Sequence, residues 1–171
     1  IFTIVESGPA EMTAMRAGKT ATFLPKPIYG LAGSSTHYHQ LLTKGGMKAV
    51  RDFHLYKKSD AFATTLTLLD DTQSLEWEPG AALPLDRIAS LRKAKEKGIR
   101  TWVSFEPVID PEQVYQMYNM TKGFVDLYKI GKLNHYKNDT DWRAFGLRMM
   151  EMCERDGKRY LIKDALKAFI I

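Results

Sequence analysis

Cysteine is almost missing from this sequence: Cys153 is the only one in 171 residues. That excludes an internal disulfide and a cysteine cluster for a metal, and a reducing cytoplasm suits such a chain. Long apolar runs are missing too. None approaches the roughly 20 residues that cross a bilayer, and the start lacks the basic, apolar and small-residue order of a signal peptide, so no membrane partner is expected. Charge of one sign is not in large excess: 25 Lys and Arg stand against 20 Asp and Glu, a net +5. Such a balance permits nucleic acid or a phosphate ligand as partner without demanding either. Neither GxxxxGK[ST] nor GxGxxG occurs, so Gly45-Gly46 and Gly131 read as turns rather than phosphate loops. His37 and His39 alternate along one strand face but have no third ligand, and no metal site is expected there. No Ser-His-Asp arrangement is readable from spacing. An initiating methionine is missing at Ile1, as expected of a piece of a longer protein.

What is present is an alternation. With 44% hydrophobic and 26% charged residues, the chain has enough apolar surface for one domain with a sizeable core. Residues 1–36 sustain no period, being broken by glycines, prolines and threonines. They are read as an unassigned, partly ordered leader, with a short strand near Phe2 to Val5 and a short helix near Ala10 to Ala17. From His37 the pattern sharpens. Strands are predicted near 38–43, 62–69, 101–106, 124–129 and 159–162, from runs of apolar, β-branched and aromatic residues.

Between the strands lie helical patterns. MKAVRDFHLYKK is apolar at Met47, Val50, Phe53 and Leu55. In LDRIASLRKAKEKG, Ile88, Leu91 and Ala94 make one stripe and Gly98 stands at the C-cap position. Asp110 and Pro111 open a third helix that ends near Gly123. Thr140 or Asp141 opens a fourth, whose stripe is Trp142, Phe145, Met149, Met152 and Cys153, and KDALKAFII forms a terminal helix. Residues 70–86 read as a long loop of the kind that carries function. This order predicts an α/β fold, a partial (β/α) barrel of parallel strands over residues 37–171, since a full barrel needs roughly 250 residues.

In such a fold the loops after the strands carry the chemistry. That edge collects Thr43 and Lys44; Thr67, Asp70 and Asp71; Ser104 and Glu106; and Lys129, Lys132 and Asn134. Lysines, hydroxyls and carboxylates converging there suit a zwitterionic or phosphorylated small molecule. Glu106 leads the candidates, because a carboxylate closing an apolar strand must find a partner if it is buried.

The blocks LTKGGMKAVRDF, TLTLLDD, WEPGAALPLDRIASLRKA, GIRTWVSFEPVIDPEQ, VDLYKIGKLN and YLIKDAL, over about residues 40–168, resemble the carboxyl-terminal half of radical S-adenosylmethionine (SAM) proteins of the spore photoproduct lyase-like group. The resemblance implies an incomplete radical SAM-type half barrel. In the intact parent, a [4Fe-4S] cluster on a CxxxCxxC loop cleaves SAM to a 5′-deoxyadenosyl radical for lyase or DNA-repair-like chemistry. It also implies that Lys44, Thr65, Thr67, Ser104, Glu106, Lys129, Lys132 and Asn134 line the cofactor and substrate cavity. The chain departs from the family in its cysteines. It lacks the three cluster ligands, so this chain alone is expected to be inactive and unable to hold the cluster. An amino-terminal segment or self-association would complete the barrel. The alternative is a cluster-free module that binds a nucleotide-like ligand or nucleic acid through its basic edge.

Overall fold

A computed structural model describes residues 3–7, 12–15, 39–136 and 138–171. Strands β1 (Thr3–Ser7), β2 (Met12–Met15), β3 (His39–Thr43), β4 (Ala61–Thr65), β5 (Arg100–Phe105), β6 (Leu127–Ile130) and β7 (Arg159–Ile162) form one sheet in the order β2-β1-β3-β4-β5-β6-β7. The last five are parallel, while β1 runs antiparallel to both β2 and β3. Helices fill the crossovers: a 3-10 helix Gly46–Leu55, then α1 (Asp71–Trp77), α2 (Pro84–Glu96), α3 (Pro111–Thr121), α4 (Trp142–Arg155) and α5 (Asp164–Lys167). Parallel neighbours need such crossovers, and one face of the sheet packs on them. The main core holds Phe53 and Phe62, Ile88 and Leu91, Val103 and Phe105, Tyr118 and Tyr128, and Phe145 and Met149. The fold is therefore α/β, with five parallel strands in one open, partial-barrel sheet.

Local chemistry explains the boundaries. Every residue of β4 is buried, and so are Thr101 to Phe105 of β5, whereas β7 alternates exposed and half-buried at the sheet's end. The side chain of Asp110 accepts a hydrogen bond from the Glu112 amide with Pro111 in the first turn of α3, and that of Asp141 accepts from the Ala144 amide at α4. Each satisfies an amide that the helix leaves unpaired. Gly98, at φ 75°, follows α2 in the left-handed conformation that glycine adopts without penalty.

Four expectations need correction, and part of a fifth lies outside the described residues. Met12–Met15 is a strand, not a helix, because β1 offers it an antiparallel partner, and tertiary pairing overrides weak local propensity. Residues 16–36 of the expected leader lie outside the described residues, as does His37. The strand after Asp60 stops at Thr65, before the expected Leu69, although the Leu66 amide still donates to the Ser104 carbonyl. The stretch 70–86 is not all loop: Asp70 caps α1 by accepting from the Gln73 amide. Finally, β6 starts at Leu127 rather than Phe124. Phe124 and Val125 hydrogen-bond back to Thr121, and the Asp126 carboxylate accepts the Thr101 amide and hydroxyl.

Candidate binding face at the strand ends

Side chains alternate across a strand, so register decides which candidates meet. Thr65 pairs with Ser104, and Ser104 with Lys129, which places these three side by side on the sheet face away from the main core. Two residues earlier, Trp102 pairs with Ala63 and Leu127 and packs with Ala61 and Leu42 in a small apolar cluster. The Lys129 ammonium lies 3.8 Å from the Trp102 ring centroid, a cation over the negative face of an indole. The Trp102 Nε1 and Thr67 Oγ1 atoms are buried without a hydrogen-bond partner among the described residues. Both are spare polar groups on the floor of the strand ends.

Glu106 stands one step further along. Its carboxylate forms an ion pair with Lys163, and Asn134 Nδ2 lies 3.5 Å from Oε1. Glu106 follows β5 and Lys163 follows β7, with β6 between them. Strands are about 4.8 Å apart, so the pair has to bridge roughly two strand spacings, one reached by each side chain. It does so over Gly131, where an added Cβ would stand 2.5 Å from Oε1. Any side chain at 131 would make the Glu106 carboxylate move. The pair remains reachable from solvent, its side chains 24% and 34% exposed for Glu106 and Lys163.

Two expected members are elsewhere. The Lys132 ammonium donates to the Leu133 carbonyl and lies 5.7 and 5.4 Å from the Trp142 and Phe169 ring centroids. Lys44 is taken up by Glu78, Nζ to Oε1 2.5 Å, while Arg87 Nη1 meets the other oxygen at 2.6 Å. That second cluster is sealed: Glu78 is 7% and Arg87 1% exposed. Charge attraction and short contacts from both cations together hold the carboxylate there. Arg87 also donates to the Ala82 and Thr65 carbonyls and to Ser74 Oγ, tying α1, α2 and the end of β4 together. Burial, the largest single influence, pushes the Glu78 carboxyl up. The combined effect of Lys44 and Arg87 outweighs it and holds the group below its usual range.

The structure thus unites Thr65, Ser104, Glu106, Lys129 and Asn134 and adds Trp102, Gly131 and Lys163. Sequence reasoning missed Lys163, although it follows the last strand just as Glu106 follows β5. Gly131 and Glu78 had no local signal, since both matter through distant partners.

An iron-sulfur cluster does not fit the residues present. Cys153 is fully buried on α4, and burial pushes its thiol up to about 11, so it stays protonated where iron requires thiolate. Among the described residues no group of three His, Cys, Asp or Glu could hold a metal, and no helix is long and apolar enough to cross a membrane.

Comparison with known proteins gives two different likenesses. Streptococcus suis SuiB, a radical SAM enzyme, solved bound to S-adenosylmethionine, superimposes with a TM-score of 0.54 over 70% of this chain and 31% of SuiB, at 13% identity. SuiB bound to precursor peptide SuiA gives 0.55 over 70% of this chain and 30% of that one, at 12% identity. At such identity the likeness shows the fold alone, an α/β partial barrel. Residues 9–67 match a different family, the glutamine synthetase catalytic domain. The glutamine synthetase of Streptomyces filamentosus is 64% identical over 33 residues, 19% of this chain and 7% of that enzyme. That of Rhizobium leguminosarum is 66% identical over 29 residues, 17% and 6%. The match with Mycolicibacterium smegmatis glutamine synthetase is 52% over 40 residues, 23% and 8%. The chain therefore covers less than a tenth of the length of these curated relatives.

Proposed function

We propose that this chain is the ligand-binding, carboxyl-terminal part of a radical SAM-type barrel of the spore photoproduct lyase-like group. Its strand-end face holds SAM or a ligand of the same chemistry, an amino-acid zwitterion joined to a nucleoside. The observation that carries this reading is the convergence of Glu106, Lys163 and Asn134, a carboxylate, an ammonium and a carboxamide, part-exposed at the carboxyl ends of parallel strands, with the buried Ser104 hydroxyl beneath them. A ligand with both charges finds an opposite partner for each there. Radical chemistry would require cluster ligands beyond those in this sequence, so the activity assigned to this chain is binding. Isothermal titration of the purified chain with SAM tests the reading. Saturable binding, weakened several-fold by Ser104→Ala and by Glu106→Gln, is the expected result; no binding would overturn it.

The glutamine synthetase match over residues 9–67 favours a second reading of the amino-terminal third: a stretch of synthetase-type sequence joined to the half barrel. Because that stretch spans only 6–8% of the matched enzymes, no synthetase activity is expected of it. Formation of γ-glutamyl hydroxamate by this chain would raise that reading above the first.

A further inference from the structure

Of the five parallel strands, only β7 has a side without a neighbour among the described residues: β1 covers β3, the next three lie between partners, and β7 ends the sheet. The ladder decides what that edge offers. Backbone groups of successive residues point to opposite sides of a strand, and the Lys163 amide donates to the Ile130 carbonyl, so Arg159, Leu161 and Lys163 turn theirs to β6. Tyr160 and Ile162 turn an amide and a carbonyl each to the open side, where no described residue receives them. Sheets blunt such an edge with proline, a bulge or charge. Here β7 has no proline, and its pairing with β6 runs without a bulge from Leu127↔Arg159 to Ile130↔Ile162. Tyr160 and Ile162 pack against the main core. The other face carries Arg159, Leu161 and then Lys163, with Leu161 52% exposed.

Cation, leucine, cation along one face selects the partner. A second copy pairing through β7, antiparallel about Leu161, sets Arg159 opposite Lys163, and like charges directly opposite destabilise a ladder. Parallel pairing in register sets each Arg159 beside its own copy. Arg159 is itself exposed and forms no ion pair among the described residues. Residues 158–171 hold Lys158, Arg159, Lys163 and Lys167 against Asp164 alone. The charge that keeps copies apart therefore admits an acidic strand. We infer that β7 is a docking edge for an extended acidic segment of a partner protein, which joins the sheet as its next strand. The open backbone groups of Tyr160 and Ile162 hold it, a carboxylate meets Arg159, and an apolar side chain covers Leu161. The SAM-type reading is not needed for this, and the residues of that site stay unchanged in the test.

The probe is a fluorescein-labelled synthetic peptide with Thr at every second residue and Glu and Val alternating between them, so that acid and apolar side chains share one face. It is titrated into the full chain at low salt and followed by anisotropy, beside a version with Lys for each Glu and a version N-methylated throughout. Arg159→Glu, Leu161→Asp and the surface control Lys93→Glu, at a half-exposed position on α2, are compared with the parent sequence, each first checked for a cooperative thermal transition. Expected is saturable binding of the acidic peptide, at least tenfold weaker once N-methylated and at least fivefold weaker with Leu161→Asp. Arg159→Glu should weaken it at least tenfold and turn the preference to the Lys version, while Lys93→Glu stays within twofold. No saturable binding, undiminished binding of the N-methylated peptide, or an unchanged preference in Arg159→Glu overturns the inference. Self-association of the parent chain that Leu161→Asp abolishes gives the edge to a second copy and overturns it as well.

Discussion

Glu78 and Glu106 both meet lysine near the ends of parallel strands, but their surroundings separate what they do. Glu78 sits in the α1–α2 connection with two cations on it, Lys44 and a fully buried Arg87 that donates to two carbonyls and a serine. Its capacity is filled by the protein itself. Glu106 faces one cation across Gly131, with a long contact to Asn134, and water reaches both members of the pair. Its capacity is only partly filled. The same residue types therefore serve as a clasp in one place and as a recognition surface in the other, and burial with partner count tells them apart.

The sharpest way to break this contrast is Arg87→Met. It leaves the buried Glu78 carboxylate with Lys44 alone and removes three further hydrogen bonds. Removing one partner of a buried pair costs about 3–5 kcal/mol, to be read from the urea midpoint. The second test is pH. Because the Glu78 carboxyl is held below its usual value, the stability it contributes is present above the unfolded carboxylate pKa of about 4.3 and is lost as pH falls toward the folded value. Glu78→Gln should accordingly flatten the acid limb of a stability-against-pH curve. Tyr118→Phe tests a buried hydroxyl far from either carboxylate. Its hydroxyl donates to the Met152 carbonyl and lies 3.2 Å from Asp156, and its loss should cost roughly 1 kcal/mol in urea unfolding. Smallest of all, Cys153 should react with a thiol reagent only at the rate of unfolding, since it is buried and protonated at neutral pH. Rapid labelling in the native state would show that the α4 face opens.

Much of the half barrel was legible. The stretches around Phe62, Val103 and Tyr128 are apolar enough to be nothing but covered strands, and Asp110-Pro111 and Gly98 punctuate the helices between them. Register followed, which is why Ser104, Glu106, Lys129 and Asn134 emerged as neighbours from position alone. What stayed hidden depends on pairing over long distances. Met12–Met15 becomes a strand only because β1 is beside it. Lys44 is diverted by Glu78, which seemed to belong to a loop, and Lys132 sits among aromatic rings. Gly131 has no local signature at all, its meaning being the carboxylate passing over it. The amino-terminal stretch had no recognised motif, and the glutamine synthetase likeness over residues 9–67 runs into β3 and β4 of the half barrel itself.

One measurement tests the division between clasp and receptor most directly: the urea midpoint of Glu78→Gln and Glu106→Gln, each with and without saturating SAM. Ligand that binds only the native state raises the midpoint. Glu78→Gln should begin well below the parent sequence yet keep the ligand-induced rise, whereas Glu106→Gln should begin near the parent and lose most of the rise. The contradicting result is the reverse pattern, a Glu106→Gln protein that is destabilised but responds fully to SAM.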